Sequence, residues 1–427
     1  MDTGSLAQAG GEYVERARGL APQIEACADQ IEQERRLTGP LLDALFEAGM
    51  FRLLLPRSLD GAEVDPATFA QVIEEIAKAD ASTAWCMCQA SGCSMSAAYL
   101  PPDVAAEVFG RDRRAVLAWG PGPDSRAVAV DGGYRVTGTW SFASGCRHAT
   151  WLGGHCPIYA HDGSRLRKGA GKAVERTMLF PAASARIVDV WHVSGLKGTG
   201  SDAFTVSDLF VPHEYSISRD DPAERRQPGP LYCFPTGSLY ASGFASVALG
   251  IARRMLDGLV ELAKEKTPRG FKRTLRDSAV IQSQVGYAEG QLQSARHFLL
   301  GSLEEIWRAV GRSGALTLDQ RVRIRLASTY AIHQAKAVAD MTHHAGGATS
   351  IFIESAFDRG FRDIHAVTQQ LQGRQSHFET VGQFLLGHEL DTTFLKAGCQ
   401  SGPICSIQLK ALWGELAPLL NGRGPSR

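Results

Sequence analysis

The sequence lacks an excess of charge of either sign, because its 427 residues include 45 Lys and Arg against 45 Asp and Glu. A strongly basic surface, which nucleic acid or an anionic membrane would attract, is therefore not expected. The first thirty residues contain no positive, apolar segment of the kind expected of a secretory leader, and no apolar run is long enough to predict a membrane span. These absences predict a cytoplasmic protein that acts on a small molecule, with neither nucleic acid nor membrane as a partner.

Metal and nucleotide motifs are missing as well. Nine cysteines are scattered along the chain, and the cluster of Cys86, Cys88 and Cys93 does not have the spacing of a zinc site. His343 and His344 are adjacent, so on a helix they point in different directions. No HExxH motif, P-loop, Rossmann glycine fingerprint or Gly-x-Ser-x-Gly elbow occurs. The sequence predicts no metal, and it argues against a hydrolase, an NTPase or a classical nicotinamide enzyme.

Periodicity divides the chain into three parts. Residues 1–113 repeat apolar positions at steps of three and four, which predicts an N-terminal helical domain. Residues 114–215 contain short runs of Val, Ala and aromatics separated by Gly and Asp, which predicts a β-barrel or sandwich domain. Residues 216–427 return to long helical repeats, typical of a four-helix bundle, here with a tail. We expect an α+β fold that forms a homo-oligomer, either a dimer or a tetramer.

The predicted elements have these bounds. Helices are expected over 11–37, begun or kinked near Pro22, then from Thr38 and Pro40, and over 65–80, 82–99, 238–267, 279–310, 318–345 and 379–390. Strands are expected over 115–119, 126–130, 134–136, 150–154, 177–180 and 204–211, and an exposed hairpin loop over 163–175.

Residues 138–146, with the sequence Gly-Thr-Trp-Ser-Phe-Ala-Ser-Gly-Cys, form the first of two segments that suggest a binding site. The pattern predicts a β-strand that carries alternating aromatic and hydroxyl side chains into a glycine. Since residues two apart share a face of a strand, Phe142 would pack against a flat ring while Ser144 hydrogen-bonds to its edge. The alternative is ordinary sheet packing with a serine that faces solvent.

The second segment, residues 191–202, contains three closely spaced glycines and the hydroxyl residues Thr199 and Ser201. Glycines of this spacing let backbone amides approach an anionic or carbonyl-rich ligand. The segment lies directly before the strand predicted over 204–211.

Together and in this order, the two segments resemble the flavin-binding β domain of the acyl-CoA dehydrogenase superfamily. The likeness extends to residues 43–51 ahead of Leu55-Pro56, to 130–134 and to 359–364. It covers most of the chain, about residues 15 to 390. The resemblance implies an acyl-CoA dehydrogenase-like fold and a flavin-dependent oxidoreductase.

Within the superfamily, the chain is more similar to the oxygenase components of two-component monooxygenases than to true dehydrogenases. In dehydrogenases a glutamate often follows the Arg-Asp motif and removes a proton from the substrate, but residues 365–372 contain no acid. Glu261 is the nearest candidate on an earlier helix. Residues 140–145 and 198–201 look like the Trp-x-Phe-x-Ser-Gly and Gly-Thr-Gly-Ser motifs of hydroxyphenylacetate hydroxylase and dibenzothiophene monooxygenase.

This resemblance implies a cofactor, partners and residue roles. The cofactor would be reduced FMN or FAD, with FMN favoured, delivered by a flavin reductase and used with O2 to hydroxylate an aromatic or other electron-rich substrate. In such enzymes the serine that matches Ser144 hydrogen-bonds the reactive nitrogen of the flavin's central ring. The histidine that they commonly carry eight residues after Trp85 is Cys93 here, and their later histidine falls near Gln369 or Gln370.

Three histidines remain as candidates for acid or base catalysis, because the pKa of histidine lies near neutrality. They are His148, His365 and His377, and a structural or surface role is the alternative for each. The predicted site residues are the catalytic Ser144, His148 and Gln370, the cofactor-binding Phe142, Ser144, Thr199, Gly200, Ser201, Arg269, Phe271, Gly346, Gly347 and Gln369, and the substrate-pocket residues Trp85, Cys93, Trp119 and His365.

Arg269 and Phe271 match positions where the resemblance places a contact to flavin phosphate or adenine, often across a subunit interface. Arginine suits phosphate because its fork offers paired donors. The alternative is a solvated helix end, given the four neighbouring Lys and Arg residues.

Two other functions stay open. One is an FAD-dependent acyl-CoA dehydrogenase-like dehydrogenase or desaturase. The other is a non-catalytic scaffold of the same fold, since three titratable residues expected from the resemblance are absent.

Overall fold

Five helices open the chain in the computed structural model, which describes residues 3–169, 171–219 and 221–388. They are α1 (Thr3–Glu34), α2 (Gly39–Glu47), α3 (Pro66–Ala79), α4 (Ala81–Ser94) and α5 (Pro102–Ala105). The helices predicted over 65–80 and 82–99 are confirmed, although α4 ends earlier and continues as a short 3-10 turn.

Two aspartates fix where α3 and α4 begin. The Asp65 carboxylate accepts hydrogen bonds from the backbone nitrogens of Ala67 and Thr68, at 2.9 and 3.0 Å. Asp80 accepts from the backbone nitrogen of Thr83 at 2.6 Å. Each carboxylate satisfies amides that the first helical turn leaves unpaired, which is how an N-cap stabilises a helix.

Helix α1 runs through Pro22, so of the two predicted alternatives, a kink or a start near this proline, the start is wrong. An interior proline costs a helix about 3 kcal/mol, because it removes one backbone hydrogen bond and crowds the preceding turn. Here α1 packs against α3 and buries Val14, Ile24 and Ile31. Burial of an apolar side chain contributes about 1.5 to 3 kcal/mol, so several of them outweigh the proline.

The middle of the chain forms strands. They are β1 (Leu117–Gly120), β2 (Arg126–Val130), β3 (Gly133–Trp140), β4 (Trp151–Tyr159), β5 (Arg167–Lys168), β6 (Lys172–Ala173), β7 (Glu175–Pro181), β8 (Arg186–Val188), β9 (Ala203–Pro212) and β10 (Ser216–Ile217). Each of the six predicted strands has a counterpart, and β5 and β6 pair antiparallel inside the predicted hairpin loop.

Eight of these strands form one sheet in the order β10-β7-β4-β2-β3-β9-β8, with β1 paired parallel to β4. Trp140 and Phe204 face each other across β3 and β9, and their stacked rings lie in the core of the sheet. Because β3 and β9 are paired in this register, the segment after Trp140 and the segment before Ala203 leave the sheet side by side.

Helices return after the sheet. They are α6 (Thr236–Glu265), α7 (Ala279–Ser313), α8 (Leu318–Gly346), α9 (Ala356–Gln369) and α10 (Ser376–Leu385). Helix α6 packs against α3, α4, α8 and α9, so it joins the two helical parts of the chain. The sequence pattern did not predict α9. It predicted the last helix over 379–390, of which 389 and 390 lie outside the described residues.

The succession of N-terminal helices, central sheet and C-terminal helices confirms the expected architecture. The domain boundaries after residues 113 and 215 stay predictions, as does any structure of the tail from residue 389. Among the described helices, none combines the length and the apolar character that crossing a membrane requires.

Candidate functional site

Three buried hydroxyls from the two predicted segments meet beside helix α4. Ser144 Oγ lies 2.7 Å from Ser201 Oγ, which lies 2.7 Å from Thr199 Oγ1. Thr199 Oγ1 donates to the carbonyl oxygen of Leu196 at 2.8 Å, and the indole nitrogen of Trp85 donates to Ser144 Oγ at 3.0 Å. The residues Ser144, Ser201 and Thr199 are called the hydroxyl chain below.

The direction of the hydroxyl chain follows from its two ends. A carbonyl oxygen only accepts, so Thr199 uses its single proton on Leu196 and must accept from Ser201. Ser201 then accepts from Ser144, whose own proton is used in turn. The indole N–H of Trp85 only donates, which is consistent with this direction. Ser144 therefore has no free proton but keeps one lone pair that can accept a further hydrogen bond.

Ser144 and Phe142 do not share a strand face, so this part of the sequence prediction is wrong. Strand β3 ends at Trp140, and Phe142 lies in a turn with a left-handed backbone, at a φ of 55°. Its side chain is 63% exposed, and its ring meets Trp191 edge-on with centroids 5.9 Å apart. Ser144 is buried and contacts Trp85 and Ser201, because the irregular backbone after Trp140 breaks the alternation of a strand.

The glycines of the second segment allow close packing. A Cβ atom at Gly195 would lie 2.1 Å from the backbone oxygen of Arg362 on α9, and one at Gly198 would lie 2.2 Å from Ile31 on α1. No side chain fits at either position. These two glycines therefore bring the turn against the helices, whereas the hydroxyls beside them form the polar site.

A cluster of buried aromatic and polar side chains, called the aromatic cluster below, continues from Trp85 along one face of α4. The side-chain amide of Gln89 donates to the Trp119 carbonyl at 3.3 Å and to Cys93 Sγ at 3.6 Å. Tyr240 donates its hydroxyl hydrogen to the Gln89 carbonyl at 3.2 Å and lies 3.4 Å from Cys93 Sγ. The predicted pocket residues Trp85, Cys93 and Trp119 are thus linked in one place through Gln89 and Tyr240, neither of which was predicted.

Aromatic rings from α6 pack against one side of this cluster. Trp85 stacks on Phe244 with ring centroids 4.0 Å apart, and Phe244 stacks on Tyr240 at 5.6 Å. A Cβ atom at Gly92 would lie 2.2 Å from the Tyr240 ring, so α4 and α6 are in direct contact here. The spacing of Trp85, Gln89 and Cys93 at steps of four could have indicated the helix face, but nothing local indicated its partners.

Arg219 contacts the aromatic cluster at Trp119, at the other end from Ser144. Its guanidinium carbon lies 4.5 Å from the centroid of the Trp119 ring, a cation–π contact. A nitrogen of the same group lies 3.5 Å from Nε2 of His155, whose Nδ1 lies 2.8 Å from Thr177 Oγ1. Burial, and then the positive charge of Arg219, lower the pKa of His155 well below its ordinary value. His155 is therefore neutral at pH 7.

His148, a predicted catalytic residue, lies beside the turn that carries Ser144. Its ring is 5.6 Å from that of Phe51, and its Nε2 atom is buried with no hydrogen-bond partner among the described residues. Burial lowers the pKa of His148 to about 4. At neutral pH this side chain is uncharged and would not act as a proton donor in the imidazolium form.

The later candidates lie elsewhere. His365 Nε2 is 2.9 Å from Asp340 on α8, and its ring packs on Phe361. Gln369 is exposed at the end of α9, and Gln370 caps the following turn by accepting from the Gln372 backbone nitrogen at 2.6 Å. The contacts of these residues are with α8, α9 and the turn after α9. The structure does not join them to the hydroxyl chain.

His377 also has a structural partner. Its Nε2 atom lies 2.8 Å from the Leu371 carbonyl oxygen, and burial lowers its pKa to about 4. A neutral ring that is held by a backbone carbonyl fits the alternative of a structural role better than acid or base catalysis.

Four further predicted cofactor residues lie on or near the outer surface of the chain. Arg269 is exposed, and the side chain of Phe271 is 72% exposed. Gly346 is buried at the end of α8, where its carbonyl accepts a hydrogen bond from Lys266 Nζ at 2.5 Å, and Gly347 is exposed. Within one chain these four residues do not belong to the aromatic cluster beside Trp85.

The surroundings of Ser144 fit a flavin ring on three counts. Phe142 and Trp191 present aromatic surface next to the hydroxyl chain, and Phe142 is exposed although its side chain is apolar. Ser144 keeps one free lone pair, and the buried Nε2 of His148 is unpartnered among the described residues. A flat ring with a polar edge needs aromatic surface and hydrogen-bonding groups of this type.

The buried cysteines are expected to be chemically inert. Burial raises the pKa of Cys93 to about 12, so its thiol stays protonated and is a poor nucleophile. Brief treatment of the native protein with iodoacetamide should label the half-buried Cys27 and Cys233, as read by peptide mass spectrometry. The other described cysteines should stay unlabelled until the protein is unfolded. They are Cys86, Cys88, Cys93, Cys146 and Cys156. Labelling of Cys93 as fast as that of Cys27 would contradict this expectation.

Known proteins are similar to this chain in sequence and in fold. Residues 13–100 match the family described as acyl-CoA dehydrogenase, N-terminal domain, and residues 242–373 match the acyl-CoA dehydrogenase, C-terminal domain. An indole-3-acetate monooxygenase from Pseudomonas putida is 30% identical over 385 residues, which are 87% of this chain and 95% of the relative.

Solved structures agree with this relationship. The 3-HSA hydroxylase from Rhodococcus sp. RHA1 superimposes with a TM-score of 0.82 at 26% identity, over 90% of this chain and 98% of the other. XiaF from Streptomyces, solved in complex with FADH2 and glycerol, gives 0.84 at 25% identity, over 91% and 98%. The chain belongs to the acyl-CoA dehydrogenase superfamily, among the oxygenase components of flavin-dependent monooxygenases.

Proposed function

We propose that this protein is the oxygenase component of a two-component monooxygenase and hydroxylates a small aromatic substrate. The observation that supports this most is the buried hydroxyl chain, which Trp85 joins to the aromatic cluster. Reduced flavin, when bound, supplies the electrons that activate O2. We propose FMN in preference to FAD, and a separate flavin reductase as the transient partner that delivers it.

Different residues of the chain would bind the flavin and orient the substrate. Ser144 would accept a hydrogen bond from the edge of the flavin, and Phe142 with Trp191 would provide the surface on which the ring lies. The rings of Trp85 and Trp119 would exclude water and orient the aromatic substrate. His148, which is neutral, would serve as a hydrogen-bonding group and not as an acid.

An acyl-CoA dehydrogenase activity is less well supported. Abstraction of a substrate proton needs a carboxylate held next to the substrate. Glu261, the nearest candidate, has a side chain that is 71% exposed and pairs with Lys264 at 2.6 Å on the surface of α6. It is therefore poorly placed to act as the base.

An oligomer would complete the cofactor site. Large apolar side chains are exposed near the predicted phosphate-contact residues, and such surfaces on soluble proteins commonly mark interfaces. They include Phe271, Tyr287, Ile351, Phe352 and Ile353. We propose a homodimer or homotetramer in which Arg269, Phe271, Gly346 and Gly347 contribute to the flavin site of a neighbouring copy.

The proposal is tested by supplying the purified protein with NADH, a flavin reductase and FMN, and by measuring oxygen consumed, product formed and hydrogen peroxide released. Oxygen should enter an aromatic product only when reductase and flavin are both present. Ser144→Ala should lower the product formed per oxygen consumed by up to about tenfold, because one hydrogen bond contributes roughly 0.5 to 1.5 kcal/mol. The remaining oxygen should appear as hydrogen peroxide.

Thr205→Ala is the matched control, because it also removes a hydroxyl from the sheet, one that donates to the Gly138 carbonyl at 3.0 Å. It should leave the product ratio unchanged. A yellow protein whose flavin is bleached by acyl-CoA would instead establish a dehydrogenase. A protein that binds flavin in neither redox state would establish a scaffold.

A further inference from the structure

Asp363 is a buried carboxylate on α9 that contacts the turn of the hydroxyl chain. Its Oδ1 atom accepts a hydrogen bond from the backbone nitrogen of Leu196 at 2.6 Å. The arginines beside it on α9, Arg359 and Arg362, pair with other carboxylates, and no lysine or arginine of the described residues lies within ion-pair distance of Asp363. A buried charge without a paired cation is unfavourable, so stability alone does not explain this side chain.

The other buried acids in the described part of the chain have a structural explanation. Glu74, Glu75 and Asp202 each pair with an arginine or a lysine. Asp80 has no ion pair among the described residues, but its carboxylate caps α4. Asp363 has neither role, since it lies within α9 and bonds to a turn outside its own helix.

The hydrogen bond to Asp363 holds a backbone conformation that leucine rarely adopts. Leu196 has a φ of 52° and a ψ of 36°, which is the left-handed region. The preceding Gly195 lies so close to α9 that a Cβ atom there would be 2.1 Å from the Arg362 backbone oxygen. A bulky residue in the left-handed region is strained and is kept there by its surroundings. Helix α9, through Asp363, is that surrounding.

The carbonyl oxygen of Leu196 is the acceptor at the end of the hydroxyl chain. It accepts from Thr199 Oγ1 at 2.8 Å and from the indole nitrogen of Trp191 at 3.0 Å. Trp191 in turn meets the ring of Phe142 edge-on. The backbone of this one residue therefore fixes both the direction of the hydroxyl chain and part of the aromatic surface beside Ser144.

We propose that Asp363 is a positioning residue of the flavin site, whose ionised carboxylate holds Leu196 so that the Leu196 carbonyl keeps accepting from Thr199. The inference rests on the proposed function and goes beyond it, because it assigns a role to a residue outside the hydroxyl chain. If Leu196 shifts, Thr199 can turn its proton to Ser201, and the proton of Ser144 is freed. A freed proton suits the bare ring nitrogen of oxidised flavin, so the preference for reduced flavin would fall.

The ionisation of Asp363 makes this effect depend on pH. Burial raises the pKa of Asp363 to about 7, against an ordinary value of 3.8. The hydrogen bond from Leu196 and the charge of Arg362 lower this pKa, whereas the charges of Asp80 and Glu32 raise it further. An ionised acceptor makes a stronger hydrogen bond than a neutral one, so the turn is held most firmly above about pH 7. The other charged groups near this part of α9 are Arg254 on α6, Arg359 on α9, and Asp340 and Lys336 on α8, which pair with each other.

The test measures the dissociation constants of oxidised and reduced FMN, without oxygen, between about pH 6 and pH 9. In the wild-type protein the preference for reduced FMN should fall by about fivefold as the pH is lowered from about 8.5 to 6. Asp363→Asn imitates the protonated acid, and it should show at every pH the value that the wild type reaches at about pH 6. Any titration of FMN itself is common to both proteins and cancels in the comparison.

Hydrogen exchange gives a readout that needs no flavin. Asp363→Leu removes the acceptor, so exchange in residues 191–202 of the flavin-free protein should become at least about tenfold faster at fixed pH. The same variant should prefer reduced FMN less than Asp363→Asn does. Asp340→Asn is the matched control, since Asp340 contacts α9 at His365 and not at the turn. It should keep the wild-type preference, pH dependence and exchange rate.

Stability separates a positioning role from a structural one. The folded pKa of Asp363 is raised from 3.8 to about 7, so its contribution to stability is complete below about pH 4 and is lost as the pH rises through 7. At about pH 8.5, Asp363→Asn should therefore unfold at the same temperature as the wild type or a higher one, although its preference for reduced FMN is lower. A preference that fell only together with the unfolding temperature would overturn the positioning role.

Three further outcomes would overturn the inference: a wild-type preference that does not change with pH, a folded Asp363→Leu protein that keeps the preference, or an equal loss of affinity for both forms of FMN. The first needs no substitution, so it decides the matter even if Asp363→Leu does not fold. A wild-type protein that binds neither form of FMN would overturn the proposed function as well. Normal formation of oxygenated product together with any of the three outcomes would overturn the inference alone.

Discussion

Replacing Ser201 with alanine is expected to reduce the preference of the protein for reduced over oxidised flavin by about tenfold. Ser144 now gives its only proton to Ser201 and accepts one from Trp85, so it can only accept a further hydrogen bond. Reduced flavin presents an N–H at the reactive nitrogen of its central ring, whereas oxidised flavin presents a bare nitrogen that needs a donor. With flavin placed against Ser144 as proposed, the hydroxyl chain would therefore favour the reduced form.

In the Ser201→Ala variant the proton of Ser144 has lost its acceptor and becomes available to oxidised flavin. Anaerobic titrations of both redox forms of FMN measure the effect as a ratio of dissociation constants. Affinity for the oxidised form should rise relative to the reduced form, which is a change in preference and not a general loss of binding. If both forms lose affinity equally, Ser201 has only a packing role and the direction of the chain is wrong.

Thr199 provides the control that tests the direction itself. Thr199→Val removes the acceptor of the Ser201 proton, so Ser201 can turn that proton to Ser144, and the redox preference should fall as it does in Ser201→Ala. Thr199→Ser keeps the hydroxyl and should keep the preference. If the chain instead ran from Thr199 towards Ser144, the proton of Ser144 would already be free in the wild-type protein, and neither substitution should lower the preference.

The meeting of these hydroxyls could be predicted from the sequence, but the orientation of the side chains could not. Both segments flank predicted strands, and the pairing of β3 with β9 brings Ser144 and Ser201 together. The turn after Trp140, with its left-handed residue at Phe142, separates two side chains that a continuous strand would place on one face. The prediction assumed that side chains alternate between the two faces of a continuous strand, and one residue of irregular backbone ends that alternation.

The far end of the aromatic cluster was not predictable. Gln89, His155, Arg219 and Tyr240 come from α4, β4, the segment after β10 and α6, and each is unremarkable in its own neighbourhood. Only tertiary packing brings them to Trp119 and Cys93. Helix α9 was not predicted for a similar reason. Its buried Ile364 and Val367 alternate with charged residues, and the pairing of those residues with α1 cannot be read from the local sequence.

Those ion pairs hold the functional turn in place. Glu32 on α1 accepts from Arg359 at 2.8 Å and Arg362 at 2.7 Å on α9, and from Lys197 at 2.9 Å in the turn that ends at Thr199. The side chain of Glu32 is only 17% exposed. One carboxylate thus joins the first helix, the last long helical segment and the hydroxyl chain.

Glu32→Gln is accordingly expected to lower the apparent free energy of unfolding by about 3 kcal/mol at neutral pH. Burial alone would raise the pKa of Glu32, but hydrogen bonds from Arg362, Lys197 and Arg359 outweigh it and lower the pKa to about 2. The substitution leaves three positive charges close together without their shared partner. Urea unfolding followed by circular dichroism measures the loss, and Glu261→Gln, which removes an exposed carboxylate, should cost less than about 1 kcal/mol.

The same network predicts how stability depends on pH. The pKa of Glu32 is about 2 in the folded protein against an ordinary value of 4.5, so its contribution is complete above about pH 5. It should fall as the pH is lowered from about 5 towards 2, because the unfolded chain takes up the proton first. The difference in stability between wild type and Glu32→Gln should therefore shrink by more than half between about pH 6 and pH 3. A difference that stayed constant over this range would mean that Glu32 acts through packing and not through its charge.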